Sequence, residues 1–216
     1  MLMEKLQVNP AKVNGRPVYH TVKRVFDILA SALGLIILSP LFLFLIIRIR
    51  YEDGGPAFYS QERIGKDGKP FKMYKFRSMI VNADQMIDQL EDQNEIDGAM
   101  FKIKDDPRIT KIGHIIRKYS LDELPQLWNV LIGDMSLVGP RPPLPSEVEE
   151  YTEYDKQRLL VMPGCTGLWQ VTKRNEADFD EMVWLDIVYI NHSGILEDLK
   201  LIIKTVLVMI HPNGAY

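Results

Sequence analysis

The 216-residue chain, 46% hydrophobic and 25% charged, is large enough for one good core or two small domains. Its net charge of −3 conceals 13 Lys/Arg against 6 Asp/Glu over residues 1–80 and 13 against 23 beyond; the basic excess surrounds an apolar run, which suits an anionic leaflet, and lacks the interleaved aromatics of a nucleic-acid footprint. A single cysteine, Cys165, excludes an internal disulfide and fits a reducing compartment, while His20, His114, His192 and His211 share no zinc-ligand spacing.

Residues 1–18 lack periodicity, contain Pro10, Gly15 and Pro17, and read as a mobile arm. Val25 to Ile47 follows, an apolar run of 23 residues flanked by Lys23 and Arg24 before it and Arg48 and Arg50 after it. It is too long for a signal-peptide core and is followed by no small-residue cleavage site, so it reads as a retained anchor. Pro40 has no amide proton and pushes Ser39 away from helical angles, so a helix should bend or break here. The two arms, Val25 to Ser39 and Pro40 to Arg50, would be about 22 and 16 Å long, and neither crosses a bilayer of about 30 Å. A kinked spanning helix also fits the run in isolation. Basic residues at both ends favour a hairpin that dips in and returns, because the positive-inside rule separates charged from uncharged flanks. The Ser39 hydroxyl is placed to bond a carbonyl freed by the break.

Asp53-Gly-Gly-Pro56 marks a turn. Ala57 to Ile64 and Pro70 to Met79, around Gly65-Lys-Asp-Gly68, predict a short hairpin with Phe71, Met73, Lys75 and Arg77 on one face. Those two charges are equally those of a solvated strand end. Asn82 to Ile96 predicts an amphipathic surface helix, Asp105-Asp-Pro107 a turn, and Ile109 to Lys118 a short helix. Tyr119-Ser-Leu-Asp-Glu-Leu-Pro-Gln-Leu-Trp-Asn-Val-Leu131 offers Ser120 or Asp122 as an N-cap, with Pro125 suiting the Asp122 register. Either register puts Asp122 and Glu123 at a helix N-terminus, where free amides favour a carboxylate and a phosphate alike, and plain capping explains the pattern as well.

Gly139-Pro-Arg-Pro-Pro143 is a rigid turn presenting Arg141, a side chain suited to bidentate phosphate binding or to stacking on the surface. Pro163 to Val171 reads as a turn leading into a short strand, with Trp169 in the core or serving as a base-stacking platform and Cys165 as a small inert residue. Phe179 to Tyr189 and Ile195 to Ile210 predict helices. The second gathers Leu196, Leu199, Ile202, Ile203, Val206, Met209 and Ile210 on one broad face, to pack on the core or lie in a membrane interface.

Several stretches, in this order, resemble the bacterial sugar transferase family, the monotopic phosphoglycosyl transferases. They are Lys23-Arg24 before a Ser39-Pro40 break, Tyr-Lys-Phe-Arg-Ser-Met (74–79), Phe-Lys-Ile-Lys-Asp-Asp-Pro-Arg-Ile-Thr (101–110), Arg117 to Leu131, Gly-Asp-Met-Ser-Leu-Val-Gly-Pro-Arg-Pro (133–142) and Pro-Gly-Cys-Thr-Gly-Leu-Trp-Gln-Val (163–171). The similarity runs from about Lys23 to His211 and is to the catalytic unit alone, without the N-terminal membrane helices of larger members. It implies an α+β fold, mainly helical, with a re-entrant helix-break-helix anchor, a small β-hairpin and amphipathic interfacial helices. The expected organisation is an arm over 1–18, an anchor over 19–50 and a catalytic domain over 51–216 on the cytoplasmic face of the bacterial inner membrane.

The resemblance further implies transfer of a sugar 1-phosphate from a UDP-sugar to undecaprenyl phosphate, releasing UMP and starting a surface glycan such as exopolysaccharide, capsule or O-antigen. It implies Mg²⁺, held in part by Asp122, and a phosphosugar-aspartyl intermediate on Asp122 with Glu123 beside it. Lys75, Arg117 and Arg141, together with Arg174, are the implied phosphate-binding residues, and Arg77 is expected to join them from its place beside Lys75 on the strand face. Cys165 stands where an aliphatic residue is usual, and Lys173 where glycine is common. The form of the insertion from Asn94 to Thr110 is closer to hexose-using members, favouring UDP-glucose or UDP-galactose. The resemblance leaves a homo-oligomer open. A non-catalytic membrane scaffold is the competing class, opposed by the intact Asp122-Glu123 pair, and a polytopic transferase is opposed by the single anchor.

Overall fold

The computed structural model describes residues 6–86, 106–173 and 177–210. Helix α1 (Pro10–Asn14) precedes two helices that meet at a break, α2 (Pro17–Ile37) and α3 (Ser39–Asp53). The axes of α2 and α3 differ by 59°, and no single helix among the described residues is long and apolar enough to cross a membrane. Pro40 supplies no donor for the Ile36 carbonyl one turn back; the Ser39 hydroxyl donates to that carbonyl instead, at 2.8 Å. The chain therefore bends without stranding the group. The break falls at Leu38, slightly ahead of the expected position, and α2 begins at Pro17, well before the apolar run.

Strands β1 (Phe58–Ile64) and β2 (Pro70–Phe76) form the expected antiparallel hairpin, in register from Phe58 opposite Phe76 to Ile64 opposite Pro70. Asp67 (φ 57°) and Gly68 (φ 75°) turn the chain between them. Helix α4 (Lys111–Lys118) is capped by the Thr110 hydroxyl and by Glu52, whose carboxylate accepts from the Lys111 and Ile112 amides. A 3-10 turn (Leu121–Glu123) leads into α5 (Gln126–Ile132). Strand β3 (Ser136–Val138) pairs in parallel with β4 (Gly164–Thr166); between them lie α6 (Pro145–Glu149) and a 3-10 stretch (Asp155–Leu160). Helices α7 (Leu168–Thr172), α8 (Phe179–His192) and α9 (Ile195–Ile210) complete the fold.

Three of these features correct the sequence reading. The stretch read as an arm contributes buried Val8 and tethers itself to α8, where the Asn191 side chain bonds the Asn9 amide and the Gln7 carbonyl. The strand after Pro163 is only Gly164–Thr166, and Leu168 onward is helical. The last turns of the presumed anchor belong to the folded body: Leu45 and Ile49 pack with Phe76, Ile112 and Ile116. The surface helix expected over 82–96 lies outside the described residues beyond a 3-10 turn at Ala83–Met86.

Helix α8 follows the usual rule, burying Val183, Ile187 and Ile190 against Val138 and Leu201. Helices α2 and α9 invert it. The residues that α2 buries are Asp27 and Ser31, while Leu29, Leu33, Ile36 and Ile37 stay exposed. Helix α9 buries Asp198 and Leu201 and turns Leu196, Ile203, Leu207 and Ile210 outward. Each inward carboxylate is satisfied: Asp27 accepts from the Leu137 amide at 3.1 Å, and Asp198 accepts from Tyr19, Lys23 and Tyr189 at 2.7–3.0 Å. Arg24 reaches from α2 to the final carbonyls of α5, Val130 and Leu131. Lys23 and Arg24 thus fasten the broken helix pair to the body of the protein.

Candidate active site

The two parts of the site are brought together by hydrogen bonds that have no catalytic chemistry of their own. Fully buried Asn129, on α5, accepts from the Tyr74 amide at 3.0 Å and donates to the Lys72 carbonyl at 2.7 Å. This staples β2 to α5 and sets Lys75 over the turn that precedes the helix. Ser120 takes a left-handed conformation (φ 53°) to reverse the chain after α4, and its side chain caps nothing. Asp122 does not cap either, and α5 begins after Pro125. The expected capping geometry is absent; Asp122 and Glu123 are presented by a 3-10 turn.

Opposite them lies the turn carrying Arg141, which is held on every side. Gly139 donates its amide to the Thr166 carbonyl, Gly164 to Pro140, and Ile64 to Pro143, each at 2.9 Å. A side chain at either glycine would collide, since a Cβ on Gly164 would lie 2.0 Å from the Gly139 nitrogen and one on Gly139 2.4 Å from the Met162 oxygen. Buried Arg63 donates to the Pro142 carbonyl at 3.2 Å, and Arg158, paired with Asp186 in the core, reaches the Arg141 carbonyl at 3.5 Å. Neither residue was legible as part of the site from sequence, because both act through backbone that only the fold brings near.

The resulting pocket, about 550 Å³, has two unlike walls. One carries Lys75, Arg117, Asp122, Glu123 and Arg141; the other is largely α9, with Ile202, Val206 and Met209. Lys75 Nζ lies 2.8 Å from Glu123 Oε1. Arg117 is aimed by Ser78, whose hydroxyl accepts from Nε at 2.9 Å. The Arg141 guanidinium stands 6.0 Å from the ring centre of Trp169, which is itself buried. The Trp169 Nε1 and Gln170 Oε1 atoms are buried without a partner, and Gln170 lines the pocket. Trp169 is buried yet lines the pocket, so it serves the core and leaves the stacking alternative open.

Withdrawal from water and the neighbouring Glu123 push the Asp122 carboxyl up to about 6, against the pull of Lys75 and Arg117. Withdrawal acts on Glu123 too, but Lys75 and Arg141 outweigh it and hold that carboxyl below its ordinary range. The pair is thus divided: Glu123 owns the lysine, and Asp122 has no ion-pair partner among the described residues. Cys165 lines the pocket as a free thiol that burial pushes up, so it is not poised for reaction.

Of the remaining residues expected at the site, Arg77 is placed elsewhere. It forms a two-pronged ion pair with Asp53 and donates to the Pro56 carbonyl at 2.6 Å, fixing the end of α3 to the hairpin. Arg174 lies outside the described residues, while the adjacent Lys173 pairs with Glu181 at 3.3 Å. Among the described residues no group of three or more His, Cys, Asp or Glu side chains is arranged to hold a metal ion. Mg²⁺ asks less than that. It is commonly held by one or two carboxylates plus substrate phosphates, and Asp122, ionisable and without a cation of its own, fits such a role.

The bacterial sugar transferase family model matches residues 18–212. The chain is 52% identical over 194 residues to a galactosyl transferase, CpsE, of Streptococcus agalactiae, covering 89% of this chain and 43% of that protein. It is 44% identical over 220 residues to an undecaprenyl-phosphate galactose phosphotransferase of Salmonella typhimurium, covering 100% of this chain and 45% of that one. The chain therefore spans less than half the length of these two relatives. The exopolysaccharide production protein ExoY of Sinorhizobium fredii is 41% identical over 205 residues, with 93% and 91% covered.

Proposed function

The chain belongs to the bacterial sugar transferase family, and on that premise we propose that it transfers a hexose 1-phosphate from a UDP-hexose to undecaprenyl phosphate, releasing UMP and starting a surface glycan. The observation that carries this reading is a single pocket in which an unpaired carboxylate, Asp122, faces three cations on one side and an apolar helix on the other. The cations match a diphosphate and the apolar wall a prenyl chain. Galactose ranks ahead of glucose because the streptococcal, salmonella and Erwinia amylovora relatives carry galactose in their names.

In this reading an Asp122 oxygen attacks the phosphorus that bears the sugar. The bond from that phosphorus to the UMP oxygen breaks, UMP leaves with the electron pair, and the sugar phosphate remains on Asp122 as an acyl phosphate. A phosphate oxygen of undecaprenyl phosphate then attacks the same phosphorus and restores the carboxylate. Lys75, Arg117 and Arg141 neutralise phosphoryl oxygens as charge shifts. Glu123 holds Lys75 in place. A Mg²⁺ ion at Asp122 would add charge neutralisation at the diphosphate.

Enzyme incubated with labelled UDP-galactose and no lipid acceptor should release UMP up to the amount of enzyme and retain the sugar phosphate on Asp122, as read by mass spectrometry. Label on another residue, or none with UMP still released on every turnover, would refute the aspartyl route. The anchor reading places both ends of the α2–α3 pair on the cytoplasmic face of the bacterial inner membrane. In a Cys165→Ser background, cysteines at Val18 and Tyr51, both largely exposed, should share one accessibility in intact cells; opposite accessibility would establish a spanning pair. Tyr51 is the better outer label than Gly54, whose left-handed conformation resists a side chain.

A further inference from the structure

Strand β3 is a wall between two cavities. Leu137 faces the catalytic pocket, while its neighbours Ser136 and Val138 face a second cavity of about 420 Å³, as strand alternation requires. This second cavity lies at the foot of α2, where the broken helix pair joins the body. Its lining brings together Lys12, Arg16, His20, Lys23, Arg24 and Lys66, with Asp27 the one carboxylate among the described lining residues.

What matters is which of these charges are already neutralised. Lys23 is answered by Asp198 at 3.0 Å. Arg16 and Arg24 are anchored by neutral oxygens, those of Ser193 and Lys12 for the first and of Val130 and Leu131 for the second, which fixes their positions and leaves their charge. Lys12 and Lys66 have no ion pair among the described residues. Four cations, Lys12 on α1, Arg16 just before α2, Arg24 on α2 and Lys66 in the hairpin turn, therefore face one cavity without an acidic side-chain partner, and Asp27 has turned to the Leu137 amide. Like charges gathered in this way repel one another, a repulsion that an anion seated among them would relieve.

His20 sits among them. Its Nε2 atom is buried without a hydrogen-bond partner. Burial, followed by Arg16, Lys66 and Lys23, depresses the imidazole below its usual range. An anion seated in the cavity would reverse that balance and accept a hydrogen bond from Nε2.

We propose that this second cavity is a binding site for a phosphate group, held by Lys12, Lys66, Arg16 and Arg24 and contacted by His20, separate from the catalytic pocket and independent of the reading given to it. The phosphate belongs either to a lipid headgroup, since the site adjoins the foot of the apolar helix pair, or to a free phosphate from solution.

The test follows the His20 ring by NMR titration of the full chain in nanodiscs, with inorganic phosphate and phosphatidylglycerol as probes. Replacing phosphatidylcholine discs by discs containing phosphatidylglycerol should raise the His20 pKa by about one unit, the scale of a new opposite charge within hydrogen-bonding distance, and by more than at exposed His192. The Lys12→Gln, Lys66→Gln double variant should lose the rise and keep normal turnover, since neither lysine lines the catalytic pocket. A rise with phosphatidylglycerol alone assigns the phosphate to a headgroup. A rise on adding inorganic phosphate to phosphatidylcholine discs assigns it to solution. No rise with either probe, an equal rise at His192, or an undiminished rise in the double variant overturns the site.

Discussion

Among the described residues two aspartates have carboxyls pushed up to about 6, chiefly by withdrawal from water, and they are placed in opposite ways. Asp186 is fully buried on α8 and bonded to Arg158, which also donates to Tyr151 at 3.0 Å and reaches the Arg141 carbonyl. Asp122 lies on the pocket wall, where Lys75 is paired with Glu123 and Arg117 is positioned by the neutral Ser78 hydroxyl, which leaves its charge. A perturbed acid is thus no guide to chemistry by itself. The guide is whether its partner is already provided. Asp186 is ion-paired through Oδ2 and holds the fold, although its Oδ1 is buried without a hydrogen-bond partner; Asp122 has no ion pair among the described residues, which in the proposed reaction leaves it to meet the substrate.

The comparison is broken most directly by removing each charge. Asp122→Asn should lose turnover by at least about 1,000-fold, as expected when a covalent nucleophile is removed, while circular dichroism stays unchanged. Normal turnover would move the nucleophile elsewhere. Asp186→Asn should instead lose about 3–5 kcal/mol of stability, because a buried arginine is left without its counter-charge. A denaturant midpoint equal to that of the unaltered chain would show the pair to be dispensable.

Next in size are the cations. Lys75→Ala, Arg117→Ala and Arg141→Ala should each lower turnover by about 100-fold, the scale of one lost transition-state contact, with little change in melting temperature. Arg77→Ala should do the reverse, since Arg77 ties Asp53 to the hairpin and does not reach the pocket. If Arg77→Ala lost activity with melting unchanged, its exclusion from the site would be wrong.

The pH dependence gives Asp122 two signatures of opposite sign. In the proposed reaction Asp122 attacks as a carboxylate, so turnover should fall as pH drops through about 6; an Asp with its ordinary value near 3.8 would hold activity well below pH 5. The stability sign is opposite. The folded value is raised above the unfolded one, so ionising Asp122 opposes folding increasingly as pH rises from about 4 through 6. Asp122→Asn should therefore melt above the unaltered chain at neutral pH, by about 2–4 °C for each 1 kcal/mol relieved. Calorimetry showing a lower melting temperature would mean that Asp122 carries structure as well as chemistry.

Much of this organisation was legible in the amino-acid order. The Pro40 break, its repair by Ser39 and the β1–β2 hairpin follow from local backbone chemistry, so a few neighbouring residues suffice to state them. Lys75, Arg117, Asp122, Glu123 and Arg141 were all named from sequence, and the fold gathers all five around one pocket. Arg77 was misread because strand alternation places it beside Lys75, whereas the strand ends at Phe76 and Asp53 captures the guanidinium just beyond. The parallel β3–β4 pair was missed because three residues on each side carry no period to detect.

Sequence by itself determined the longer helices after the hairpin, where the chain bends and which residues carry charge suited to phosphate, because propensity, proline geometry and motif chemistry act over short range; the short helices α1, α6 and α7 were not legible. It also gave α9 its broad apolar face, without deciding whether that face looks in or out. Only the tertiary structure decided that Leu196, Ile203 and Ile210 look outward while Ile202 packs on the core and Asp198 looks in, because a buried carboxylate is tolerated only where Tyr19, Lys23 and Tyr189 converge on it from distant parts of the chain. The same holds for Asp122. Its carboxyl was given by its residue type, but its lack of an ion pair was settled by the fold, which hands Lys75 to Glu123 and holds Arg117 on the Ser78 hydroxyl.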